Sequence, residues 1–212
     1  MIRCFLVALV VCLTGLFSSV VVFAELYIPE KKVIYLDDAT GISYIYLQGV
    51  SKASAITNLK TSKKSVAKIS KDVNGDTAVI SIAPKKAGTT NVTYNVKHEG
   101  KTIKAKTKVI LRKYVSPLKS FKIGSTNYTS KIKKTGHLRV DKALKGKLSI
   151  KLKSGYKIHA ISIYSWSGGS SPKTGKNNKT VKVPKGKTLS IQVLPKGGDE
   201  EDKMFLEIMV DQ

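Results

Sequence analysis

From Tyr27 to the end of the chain, apolar residues recur at every second position in short runs, and no stretch holds a helical apolar stripe over three turns. The clearest run is Thr89 to Val96, where Val92, Tyr94 and Val96 share one face and Asn91, Thr93 and Asn95 the other. From Thr102 to Leu111, Ile103, Ala105, Thr107, Val109 and Leu111 oppose Lys104, Lys106 and Lys108. A period of two over a half-buried segment is the signature of a strand with one face on a core and one in water. The three lysines read as a wet sheet face or as edge protection.

Runs of this kind predict strands at 32–36, 43–47, 56–60, 66–70, 77–84, 88–98 and 101–112. A second set is predicted at 119–123, 137–140, 147–153, 157–166, 179–183, 188–194 and 203–210. Asn74-Gly75 and Glu99-Gly100 are hairpin signals, because these residue types tolerate positive φ. Further turns fall at Ser154-Gly155, Gly168-Gly169, Pro184-Lys185-Gly186 and Gly197-Gly198. Lys113 to Pro117 reads as a short linker, ended by a proline that cannot continue a ladder.

The first 24 residues are of another kind. Met1-Ile2-Arg3 gives a basic start, Cys4 to Ala24 carries no charge, and Val22-Phe23-Ala24 offers a small residue for cleavage before Glu25. This predicts an export signal, with an uncleaved membrane anchor as the alternative. Both cysteines lie inside it, so a cleaved chain has neither a disulfide nor a thiolate metal site. Removing 24 of 212 residues leaves 188, enough for two small β-sandwiches.

Leu59-Lys60-Thr61-Ser62-Lys63-Lys64-Ser65-Val66-Ala67-Lys68-Ile69 and Gly88-Thr89-Thr90-Asn91-Val92-Thr93-Tyr94 resemble two segments of the bacterial group 2 immunoglobulin-like (BIG2) domains, with Leu59 in place of that family's Trp. The resemblance covers about residues 27–112 and implies a sandwich used in adhesion or spacing, with no catalytic residues to carry over. Residues 118–212 read as a second small sandwich without a family resemblance. The expected fold class is therefore all-β: two tandem immunoglobulin-like antiparallel β-sandwiches after an N-terminal signal peptide.

Chemistry is sparse. Gly186-Lys187-Thr188 has Val181 where a phosphate-binding loop needs its first glycine, and the region after Asp72 has Ala83 where a calcium loop needs a bidentate glutamate. Ser165-Trp166-Ser167-Gly168-Gly169 is not a nucleophile elbow. His98, His137 and His159 fall on separate predicted strands and read as ordinary surface or half-buried residues. No enzyme activity, cofactor or metal site is expected. Asp199-Glu200-Glu201-Asp202, the one dense acidic run, reads as a solvated hairpin tip. Tyr156, Tyr164 and Trp166 are the candidate binding residues for a carbohydrate or protein, against a reading in which Tyr164 and Trp166, two apart on one face, are core.

The charge bears on partners. Without Arg3, 37 basic residues stand against 14 acidic ones, and only Arg112 and Arg139 are arginines. A lysine field attracts polyanions but lacks the planar fork that reads bases, which disfavours specific nucleic-acid recognition. The sequence thus leads to a secreted or cell-surface, non-enzymatic protein acting in adhesion, envelope interaction or module spacing. Its expected partner is a cell-surface protein or glycan; the membrane is a partner only if the signal is retained as an anchor. The alternative is a polyanion-binding module for a cell-wall polymer, glycosaminoglycan or nucleic acid. A contiguous lysine groove would favour that alternative, and scattered lysines would mean solubility.

Overall fold

The computed structural model describes residues 25–37, 41–165 and 172–212. The predicted export signal, Trp166 and the Gly168-Gly169 turn lie outside these residues.

The alternating runs form strands, and among the described residues the strands form four sheets. The first half contributes β1 (Lys31–Leu36), β2 (Ser43–Tyr46), β3 (Ile56–Thr61), β4 (Ala67–Asn74), β5 (Thr77–Pro84), β6 (Gly88–His98) and β7 (Lys101–Lys113). They assemble as a four-stranded sheet in the order β1-β7-β6-β3 and a three-stranded sheet in the order β2-β5-β4. Their inward residues meet in one buried cluster that includes Ile45, Leu47, Ile56, Ile80, Ile82, Val92, Tyr94, Val96, Val109 and Leu111. As the period of two requires, Lys104, Lys106 and Lys108 are exposed while Thr107, Val109 and Leu111 are buried.

The second half contributes β8 (Leu118–Ile123), β9 (Thr126–Asn127), a one-turn helix α1 (Thr129–Lys133), β10 (His137–Val140), β11 (Leu144–Leu152), β12 (Tyr156–Tyr164), β13 (Lys173–Thr174), β14 (Thr180–Val183), β15 (Thr188–Pro195) and β16 (Met204–Val210). These give a five-stranded sheet, β10-β16-β15-β12-β13, and a four-stranded sheet, β14-β11-β8-β9. A second buried cluster lies between them, built on Leu118, Phe121, Ile132, Leu148, Leu189, Ile191, Leu206 and Ile208. Ile132 is the residue that holds α1 to this core. The helix was not expected, because five residues are too few to show a 3.6-residue period.

Two further expectations need correction. The sheets are not wholly antiparallel: β1 runs parallel to β7, and β10 parallel to β16. Each parallel pair joins strands far apart in sequence, a pairing no local turn signal reports. The linker does not begin cleanly at Lys113 either, since that residue is in β7, and the Tyr114 N–H donates to the Leu36 carbonyl at 2.7 Å.

Turn chemistry follows residue type. Glu99 and Gly100 both take positive φ, 49° and 71°, between the paired residues His98 and Lys101. Of the other predicted hairpin, the loop is Gly75-Asp76, because Asn74 still pairs with Thr77. One buried polar group also binds the first core: the Thr107 hydroxyl donates to the Pro29 carbonyl at 2.7 Å and lies 3.0 Å from the Tyr94 hydroxyl. Thr107→Val keeps the shape and removes both bonds, so it is expected to cost about 1 kcal/mol by leaving buried partners unpaired. Urea unfolding of Thr107→Val against Tyr94→Phe, which leaves the bond to Pro29, measures it.

Candidate functional site

The two pairs of sheets meet along β1, the end of β7 and the segment Asp199 to Phe205. This segment, the connection between β15 and β16, forms a capped turn in which Asp199 and Glu200 stay exposed, as a solvated tip would have them, but Asp202 does not. The Asp199 carboxylate accepts from the Glu201 N–H at 3.0 Å, and the Asp202 carboxylate accepts from the Asp199 N–H at 3.3 Å. The turn folds Asp202 inward until it is 7% exposed. There it receives three groups from the first half of the chain: Lys31 Nζ at 3.0 Å, Arg112 Nη1 at 3.0 Å, and the Tyr35 hydroxyl, which donates to its backbone carbonyl at 3.1 Å. Lys31 also pairs with Asp199 at 2.6 Å. These bonds hold the Asp199 carboxyl below the usual carboxylate range and the Lys31 ammonium above its own. Tyr35, on β1, and Tyr114, just after β7, pack against the second core.

Beside this junction lies an open cleft of about 470 Å³ lined by Lys32, Tyr35, Asp37, Tyr114, His137, Tyr164, Phe205 and Glu207, among others. Glu207 organises its floor. On β16 it faces away from the core, and ladder pairing sets His137 on β10 and Ser190 on β15 directly opposite it, one on each side. Its carboxylate accepts from the Ser190 hydroxyl at 3.0 Å and the Tyr164 hydroxyl at 3.0 Å, and lies 3.4 Å from His137 Nδ1. Burial pushes the Glu207 carboxyl upward, but the bonds from His137, Tyr164 and Ser190 outweigh it and hold it below the ordinary value of 4.5. The carboxylate in turn raises His137 above 6.5, against desolvation. Burial, reinforced by the neighbouring carboxylate, raises the Tyr164 phenol well above its ordinary value. The Tyr114 hydroxyl, at the cleft wall, is buried with no hydrogen-bond partner among the described residues, and burial raises its pKa.

This arrangement predicts a pH dependence. The lowered Glu207 stabilises the fold above pH 4.5 and loses that contribution as pH falls through its depressed value. The raised His137 stabilises it below pH 6.5 and loses that contribution as pH rises through its elevated value. The pair therefore contributes fully between pH 4.5 and 6.5. Thermal unfolding is expected to show a fall in Tm above that window in the wild type and a flatter profile there in His137→Ala.

Of the candidate binding residues, Tyr156 packs against the second core, and Trp166 lies outside the described residues. Tyr164 is not core: it stands on the cleft face with its hydroxyl on Glu207. A bulge between Ile158 and Ala160 in the pairing of β12 with β15 explains the split. One extra residue, His159, shifts the alternation, so that Tyr156 and Ile158 face the core before it and Ile161 and Ile163 after it. The histidines are less isolated than the sequence suggests: His137 lies by Glu207, His159 by Glu200 at 3.4 Å, and His98 by Glu99 at 3.7 Å. Among the described residues no three His, Cys, Asp or Glu side chains gather to hold a metal ion.

The fold and junction define an all-β chain built of paired sheets around two cores. No protein-family model matches it, and no curated protein does. Solved structures with some likeness include the fibronectin(III)-like modules of Clostridium thermocellum CbhA, at 14% identity and a TM-score of 0.31 over 89% of this chain and 94% of that one. Domains 5-6 of the S-layer protein SbsC match at 13% identity and a TM-score of 0.30, over 89% and 100%. The D00-D0 domain of intimin matches at 12% and 0.29, over 89% and 100%. Likeness at these TM-scores carries no argument about this chain.

Proposed function

We propose that this chain is an exported, surface-exposed, non-enzymatic protein of two tandem immunoglobulin-like modules, about 27–112 and 118–212, acting in adhesion, envelope interaction or module spacing. The group 2 bacterial assignment of the first module belongs to this reading. The observation that carries it is the junction at Asp202, where Lys31, Arg112 and Tyr35 from one half of the chain bind a single capped turn of the other. Two sandwiches joined by a fixed contact present their surfaces at a constant separation, which suits a spacer or a two-surface binder better than a flexible tether does. The Glu207 cluster fits a structural role in this reading, since its carboxylate is held ionised by three neighbours and is not poised as a free base near neutral pH.

The test is binding of the purified, labelled protein to intact cells of its own source and to their isolated envelopes. Saturable binding that protease or periodate treatment of the cells abolishes is the expected result. Absence of binding to both preparations would overturn the adhesion and envelope reading.

A further inference from the structure

A groove of about 500 Å³ opens between β3 and β4, the two edge strands where the sheets of the first pair face each other. Its lining contains Leu59, Ala67, Ile69 and Thr61, and four lysines: Lys60, Lys64, Lys68 and Lys85. Leu59 and Ile69 are half-buried with the first core behind them, Ala67 is buried, and all four lysines are exposed. Among the described residues no carboxylate lines the groove and none of the four lysines makes an ion pair.

The rim is fixed by the backbone. The Lys85 N–H donates to the Val66 carbonyl at 2.9 Å, the Val66 N–H to the Lys63 carbonyl at 3.0 Å, and the Lys63 N–H to the Thr90 hydroxyl at 3.0 Å. Four like charges around a concave, aliphatic floor repel one another and are relieved by an anion lying among them.

We infer that this groove is a binding site for an acidic polysaccharide, with sugar-ring C–H faces on Leu59 and Ile69 and carboxylate or sulfate groups on Lys60, Lys64, Lys68 and Lys85. The lining selects this polyanion over three others. Among the described residues it offers no aromatic ring or guanidinium on which a base could stack, which disfavours single-stranded nucleic acid. It offers no continuous free strand edge to an acidic peptide: β3 bulges between Thr57 and Lys60, with Asn58 at φ 52°, and Lys71 Nζ occupies the Ile56 carbonyl at 3.1 Å. None of the exposed large apolar residues, Tyr27, Ile42, Tyr46, Val73, Val115 and Phe205, lies at its rim, which disfavours a membrane surface. The inference names a partner for the envelope-interaction reading and rests on it only for the setting; the groove's affinity is measured without cells.

Heparin oligosaccharides, polyglutamate, single-stranded DNA and anionic lipid vesicles serve as probes, titrated at about 0.15 M salt, where charges beyond about 8 Å are screened. The purified wild type is compared with K60E/K64E/K68E/K85E and with K122E/K145E/K147E/K182E. The second variant makes the same charge change on exposed lysines of β8, β11 and β14. Glutamate keeps the strand edges charged, so edge protection is retained in both. Should the fourfold groove variant fail to fold, as its Tm would show, K64E/K85E replaces it.

The expected result is tightest binding of the oligosaccharide, an affinity loss of at least about tenfold in the groove variant, and a loss of less than about threefold in the control, whose exposed lysines contribute only through the screened general field. Equal losses in the two variants would overturn the proposal in favour of a diffuse lysine field. DNA, polyglutamate or vesicles binding the wild type as tightly as the oligosaccharide, or no binding of the oligosaccharide, would overturn it as well. In each of these cases saturable binding to intact cells would leave the envelope reading standing.

Discussion

Replacing Glu207 by alanine is expected to destabilise the protein by about 3 kcal/mol, a fall in Tm of roughly 6–12 °C. The carboxylate accepts from Ser190 and Tyr164 and stands beside His137, and both Ser190 and Glu207 are buried. Alanine removes the acceptor and leaves the buried Ser190 hydroxyl without one, while Tyr164 and His137 border the open cleft; an unpaired buried hydroxyl costs more than a made bond gains. Glu207→Gln separates hydrogen bonding from charge: its amide oxygen still accepts from Ser190 and Tyr164, while the raised pKa of His137 loses its first cause. Glutamine is therefore expected to restore about half the lost stability and to return His137 towards its ordinary titration, readable by NMR. Full stability in Glu207→Ala would show that the cluster is solvated and adds nothing.

Asp202→Ala is expected to cost about 2 kcal/mol and, more tellingly, to loosen the contact between the two halves of the chain. Its carboxylate is shared by Lys31, Arg112 and the Asp199 N–H, so one substitution removes two ion pairs and half of a capping box. Arg112 and Lys31 are partly exposed, which screens their share of the energy and keeps the total well below that of a dry buried pair. Small-angle scattering is the direct readout: the distance distribution of the wild type should be that of one fixed shape, and that of Asp202→Ala broader and longer. An unchanged distribution would assign the junction to apolar packing of Tyr35 and Tyr114 against the second core. Charge reversal tests the same point, because Arg112→Glu with Asp202→Arg should recover part of the loss if the pair is what joins the halves.

Strand positions were legible in the sequence because they depend on a local period. Thr77–Pro84, Gly88–His98 and His137–Val140 fall where alternation and turn residues put them. Lys104, Lys106 and Lys108 are exposed as their parity required. Local signals also gave the Glu99-Gly100 turn, since both residues take the positive φ that their types tolerate. What they could not give is any parity that depends on pairing. Tyr156 and Tyr164 are both even-numbered on one strand, and uninterrupted alternation would set them on one face. The bulge at His159, visible only against β15, sends one to the core and the other to the cleft.

Sites assembled from distant strands were hidden for the same reason. Glu207, His137, Ser190 and Tyr164 lie far apart in sequence, His137 and Glu207 by 70 residues (207 − 137), and meet because β10, β16, β15 and β12 are neighbours in one sheet. The acidic run Asp199 to Asp202 reads as a water-facing tip, since four carboxylates in a row repel and seek solvent, and Asp199 and Glu200 are indeed exposed. Its capped turn instead delivers one of them to Lys31 and Arg112, which lie 171 and 90 residues away. By itself the sequence determined the all-β character, the strands and the wet faces, because these follow from side-chain period and turn chemistry within a few residues. The tertiary structure alone decided the parallel closing pairs, the shared carboxylates and the lysine groove, because each depends on register and packing between segments that no local period connects.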